Sequence, residues 1–101
     1  MRKLPIFALI ALLGGCGVGR PPDDADGAEI YSMLCANCHG ADLEGRVGPA
    51  LGAGSNSADL PDSFLEITIE HGRGRMPSFS TVLSDDQMEK LIDYIRHVQQ
   101  R

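Results

Sequence analysis

The sequence predicts an all-α fold with long loops. Three observations predict it. Met88, Leu91, Ile92, Ile95 and Val98 recur at helical spacing near the C-terminus. Two helix starts read as capping boxes, Asp26 with Glu29 and Ser84 with Gln87. No segment alternates apolar and polar residues as a half-buried strand does.

The chain has 101 residues, enough for one small domain. Its start is read as a leader. Arg2 and Lys3 give a short positive region, and the apolar run Ile6 to Leu13 is too short to span a bilayer. Leu13-Gly14-Gly15-Cys16 resembles a bacterial lipobox, whose cysteine becomes the lipidated first residue. Residues 1–15 are therefore expected to be a lipoprotein signal peptide, with Cys16 as the lipidation site. The bland alternatives are a buried helix or an ordinary signal peptide ending near Gly15. The stretch 16–26 holds Gly17, Gly19, Pro21, Pro22 and three aspartates, which is linker composition. A coil of ten residues spans about 17 Å. The folded domain is expected over residues 27–101.

Within it, Asp26 caps a first helix whose apolar stripe is Ile30, Tyr31, Met33 and Leu34. Residues 40–58 have no clear period and are rich in Gly, Ser and Asn. A loop this long in a compact domain needs a reason. A second helix is expected from about Pro61 to Glu70, with Gly72 just past its end. Its inner face is Phe64, Leu65, Thr68 and Ile69. Residues 72–83 read as a second loop. The last helix begins after Ser84, with Asp85 and Asp86 at its positive end and Arg96 near its negative end.

Cys35-Ala36-Asn37-Cys38-His39 is a C-x-x-C-H run, the spacing of c-type haem attachment. Each thiol can bond a haem vinyl group, and the adjacent imidazole then lies under the iron. A zinc site needs two more ligands, usually a second pair, and only His71 and His97 remain outside the run, far apart in sequence. A thioredoxin-like pair belongs after a strand, and none precedes Cys35. The three cysteines are used up by the run and by Cys16, leaving none for a disulfide. So small a domain, with 5% aromatic residues, needs a staple, and one covalent haem supplies it. Wrapping a haem edge is also a reason for the long loops.

Further motifs follow in order: Gly48-Pro49-Ala50-Leu51, Met76-Pro77, then an amphipathic C-terminal helix carrying Tyr94. Together with the C-x-x-C-H run, they make residues 27–98 resemble a class I cytochrome c. The resemblance implies a small cytochrome c fold, with about three to four helices wrapped around one covalent haem c. It implies thioethers at Cys35 and Cys38, His39 as proximal ligand, and the Pro49 carbonyl holding the other ring N–H. Leu51 would pack on the haem. Gly27 and Tyr31 would cross Leu91 and Tyr94 where the terminal helices meet.

Met76 is the expected sixth ligand. Met1 is in the leader, Met33 adjoins Cys35 on the wrong side, and Met88 lies on the apolar face of the last helix. The alternative leaves His71, or nothing, on the iron. Arg46 reads either as a partner for a haem propionate or as a solvated loop charge. Arg73 and Arg75 read either as a positive collar at the haem edge or as a solvated pair. His97 sits near a helix C-terminus, where an imidazole is favourable in any case.

Charge excludes one class. Taking Arg2 and Lys3 from the nine basic residues leaves seven against fourteen acidic ones, so the mature body is no nucleic-acid binder. The expected function is that of a membrane-tethered one-electron carrier, not an enzyme. It would act as a monomer on the extracytoplasmic face of a bacterial membrane, with membrane redox complexes as donor and acceptor. Two alternatives stand beside it. One is a haem subunit of a larger membrane oxidoreductase. The other, if Met76 is not a ligand, is a sensor that binds a gas or peroxide.

Overall fold

The computed structural model describes residues 19–101. The expected leader and Cys16 lie outside the described residues. Four α-helices follow in order: α1 (Gly27–Leu34), α2 (Ala36–His39), α3 (Asp62–His71) and α4 (Asp85–Gln99). A 3₁₀ turn, Asn56–Asp59, precedes α3. Among the described residues there is no strand, only an isolated bridge between Arg73 and Met76. The all-α expectation holds.

Both capping boxes form. Asp26 accepts from the Glu29 N–H at 2.8 Å, and Glu29 accepts from the Asp26 N–H at 3.0 Å. Ser84 accepts from the Gln87 N–H at 3.2 Å, and Gln87 accepts from the Ser84 N–H at 3.0 Å. Each box satisfies two backbone donors at a helix start. Pro61, expected inside the first turn of α3, is instead its N-cap, and the helix runs one residue longer to His71. Gly72 ends it with φ +78°, a conformation that suits glycine.

α1 and α4 cross closely. A Cβ at Gly27 would overlap the Lys90 carbonyl and lie 2.7 Å from Tyr94 Cβ. Only glycine lets the two backbones approach this far. Tyr31 and Tyr94 meet at the crossing with ring centroids 5.6 Å apart. Ile30, Tyr31, Leu91, Ile92, Ile95 and Val98 are buried there. Met33, expected in the α1 stripe, is 48% exposed, because the helix is a single pair of turns and turns that position away from α4.

The stretch expected as linker is partly docked. Pro21 and Ala25 are buried. The Gln87 side-chain amide donates to the carbonyls of Pro21 at 3.4 Å and Pro22 at 3.1 Å. Gln87 thus closes its own helix cap with one atom and holds the incoming chain with another.

Candidate haem site

Four residues are too few to hold a helix in isolation. α2 exists because α1 feeds directly into it. The Cys35 N–H donates to Tyr31 O at 2.8 Å, and the His39 N–H donates to Cys35 O at 2.9 Å. The buried Tyr31 hydroxyl then donates to Gly40 O at 2.7 Å, tying the end of α2 back to α1. Burial, with a smaller contribution from Cys35, pushes the Tyr31 phenol well above its usual range. It therefore stays a donor at any ordinary pH.

Past His39 the loop turns back beneath the imidazole. The Gly45 N–H donates to His39 O and the Gly48 N–H to Cys38 O, both at 2.7 Å. This return brings Pro49 O to 2.8 Å from His39 Nδ1. A carbonyl only accepts, so Nδ1 carries the proton and Nε2 keeps a lone pair for a metal. A Cβ at Gly48 would lie 2.9 Å from His39 Cε1, so the backbone itself buttresses the ring.

His39 faces a cavity of about 890 Å³. Cys35, Cys38, Pro49 and Leu51 line it from the same side of the sequence, and Met76 lines it from the loop after α3. Phe64, Leu65, Thr68 and Ile69, the expected inner face of α3, all contribute to the wall. The volume is within the range of cofactor pockets and the walls are largely apolar, which suits a porphyrin face. Burial pushes the Cys35 thiol up to about 12, with Cys38 adding to the shift. The position rejects a thiolate but accepts a thioether, which has no proton to lose. Among the described residues no three His, Cys, Asp or Glu side chains gather as a metal-binding group. The residues present therefore fit a covalently attached haem.

The loop bearing Met76 is a tight turn. The Arg73 N–H donates to Met76 O at 3.0 Å, and the Met76 N–H donates to Arg73 O at 2.9 Å. A Cβ at Gly72 would lie 2.6 Å from Met76 O, so the turn closes only over glycine. The Phe79 N–H bonds Ile69 O at 3.0 Å and anchors the loop's exit to α3. Arg73 and Arg75 line the cavity and are exposed. Arg46 is exposed and lies outside the cavity wall. His71, with 70% of its side chain exposed, and the exposed His97 also lie outside the wall, as do Met33 and Met88.

Sequence reasoning did not single out the buttress at Gly48, the Tyr31 bond to Gly40, or the contacts of Gln87, Arg96 and Gln99. The short Gly-Pro pair held a signal for the first. The others join residues distant in sequence and carry no local pattern.

Several known proteins resemble this chain. The sequence profile described as "Cytochrome C oxidase, cbb3-type, subunit III" matches residues 22–95. Cytochrome c-551 of Bacillus subtilis is 35% identical, over 70% of this chain and 72% of the relative. A nicotinate dehydrogenase subunit of Pseudomonas putida is 33% identical over 72% of this chain, but the match spans only 7% of that protein. Cytochrome cL of Hyphomicrobium denitrificans superposes with a TM-score of 0.66 at 41% identity, over 72% of this chain. The chain spans about half the length of that solved cytochrome, 45% of it. A C-x-x-C-H run at the wall of an apolar cavity, with a profile match over most of the chain, makes this protein a member of the cytochrome c family.

Proposed function

We propose that the protein carries single electrons on one covalent haem c, outside the cytoplasm and tethered to a bacterial membrane through Cys16. Cys35 and Cys38 would hold the ring as thioethers, and His39 Nε2 and the Met76 thioether would be the protein's two ligands to its iron. When bound, the haem iron supplies the one-electron change between ferrous and ferric states. The protein's residues do the rest. Pro49 fixes the imidazole through Nδ1, which also makes Nε2 a better donor. Phe64, Leu65 and Ile69 keep water from the ring. The soft, neutral Met76 sulfur favours ferrous iron and raises the potential. With His39 and Met76 both serving as ligands, the iron would be closed to substrate, so the proposed function is transfer and not catalysis.

One observation carries this reading. His39 is oriented by Pro49 at 2.8 Å, with its second nitrogen free, in a cavity wall shared with both thiols and Met76. A spectroscopic redox titration of the purified holoprotein tests it. The expected result is one single-electron wave, a high potential for a haem, and a far-red charge-transfer band from the Met–iron bond in the oxidised form. Several waves, or an oxidised spectrum of an open iron site, would overturn it, the latter in favour of a gas or peroxide sensor.

No helix among the described residues is long and apolar enough to cross a membrane. The proposed attachment is the lipidated Cys16. More than one acyl chain makes such anchoring stable. Cys16→Ser should release the protein from membranes in fractionation with its haem spectrum unchanged. Because Pro21 and Ala25 are docked, only residues 17–20 separate the proposed lipid from the docked chain. So short a reach favours partners in or beside the same membrane. The exposed Arg73 and Arg75 at the cavity mouth suit an acidic docking face on such a partner. A second reading, a haem subunit of a larger oxidoreductase, is favoured by the oxidase-subunit profile and the dehydrogenase relative. Co-purification with a membrane complex in mild detergent distinguishes it from a free carrier.

A further inference from the structure

The last turns of α4 grip the segment that forms one wall of the cavity. Arg96 commits its whole guanidinium to it. Nε donates to Asp62 Oδ1 at 2.7 Å, Nη1 to Ser57 O at 3.1 Å, and Nη2 to Leu60 O. Gln99 adds a second arm, donating through Nε2 to Leu51 O at 2.9 Å and Ser57 Oγ at 3.1 Å. The two arms are joined, because Arg96 Nη1 also donates to Gln99 Oε1 at 2.8 Å. Leu51, Ser55, Asn56, Ser57 and Leu60 of the gripped segment line the cavity. At its start the Leu51 and Gly52 N–H groups donate to Leu43 O at 2.9 and 3.1 Å. Beyond that, and before α3, its one regular element is the single 3₁₀ turn, and Leu60 is exposed. Neither Arg96 nor Gln99 lines the cavity.

We propose that Arg96 and Gln99 are positioning residues. They form a latch that keeps segment 51–62 closed over the haem, and through that closure set its exposure to water. The inference rests on the haem reading above. A closed wall keeps the ring in a low dielectric, which disfavours the more positive ferric centre and raises the potential. An open wall admits water and lowers it. Arg96 could also act as a plain positive charge, and that alternative has a different signature. A charge effect survives Arg96→Lys and is absent in Gln99→Ala, which alters no charge. A latch effect appears in both, because lysine lacks the planar fork and alanine removes the second arm.

The test uses the holoprotein of wild type, Gln99→Ala, Arg96→Lys and the milder Asp62→Asn, which leaves Arg96 its carbonyl partners. Potential and amide hydrogen exchange are read on each. The expected result is a lowered potential in Gln99→Ala and Arg96→Lys, with amides of residues 51–60 exchanging about tenfold faster or more. Asp62→Asn should change both in the same direction, by less. Haem attached at wild-type potential, with unchanged exchange in Gln99→Ala and Arg96→Lys, would overturn the latch and leave the haem reading intact. Faster exchange at an unchanged potential would also overturn it, reducing the contacts to ordinary loop packing. Absence of covalent haem from the wild-type protein itself would overturn the haem reading, and the latch with it.

Discussion

His39 and Met76 lie on one cavity but are held in different ways. Every support of His39 comes from residues 31–51. Tyr31 ties Gly40, the Gly45 and Gly48 amides cap α2, Pro49 holds the ring, and Gly48 buttresses it. The imidazole itself is hydrogen-bonded and 8% exposed as a residue. Met76 is placed through its backbone, by the turn with Arg73 and the crowding at Gly72, and its side chain is half-buried. The imidazole of His39 is oriented by a direct hydrogen bond to its own loop. The Met76 side chain is placed only through its backbone. The proximal side is therefore expected to be rigid and the distal side to yield first.

The largest effect should come from the attachment points. Cys35→Ala with Cys38→Ala removes both thioethers and with them the staple of a small core. No haem stain should remain on a denaturing gel. Retained covalent haem would break the comparison at its root, since the rigid side would then not be the attachment side.

Met76→Ala is expected next in size. Haem stays attached, the potential falls, and the far-red band disappears as water or an added ligand reaches the iron. If band and potential both survive, the yielding ligand is some other group.

Two glycines sharpen the contrast. Gly48→Ala puts a methyl against the imidazole and should destabilise the protein by roughly 1–3 kcal/mol in urea unfolding, with a changed proximal ligand signature. Gly72→Ala forces a side chain into φ +78° and against Met76 O, a cost of about 1–2 kcal/mol before the clash is counted. Its expected signature is loss of the far-red band at lower denaturant than wild type. Identical spectral responses from the two variants would mean that the two sides move as one.

The smallest effect belongs to Glu44, on the proximal loop. Bonds from its own backbone N–H and from the Asp42 N–H, the latter at 2.8 Å, hold its carboxyl below the usual 4.5. A depressed folded pKa gives stability that is present above the unfolded value and lost as pH falls through the folded one. Glu44→Gln should therefore be slightly less stable than wild type at neutral pH and indistinguishable below the folded pKa. A difference that grows on acidification would contradict this.

Several features were legible in residues alone. Capping boxes at Asp26 and Ser84 work through partners three residues away, and the α4 stripe is a periodicity, so both are local patterns. C-x-x-C-H packs two attachment points and a ligand into five residues, and so announces its chemistry without a fold. The extent of the linker was not legible, because Pro21 and Pro22 look like tether until Gln87 reaches them from more than sixty residues away. Arg96 reads as a helix-end charge for the same reason, since its partners on residues 57–62 are set by how α4 lies across the loop. Residue type and short spacing by themselves determined α1, α3 and α4, the haem motif and the family of the protein. The tertiary structure alone decided how firmly each ligand is held and what closes the wall, because those contacts join parts of the chain whose separation in sequence carries no signal of their meeting.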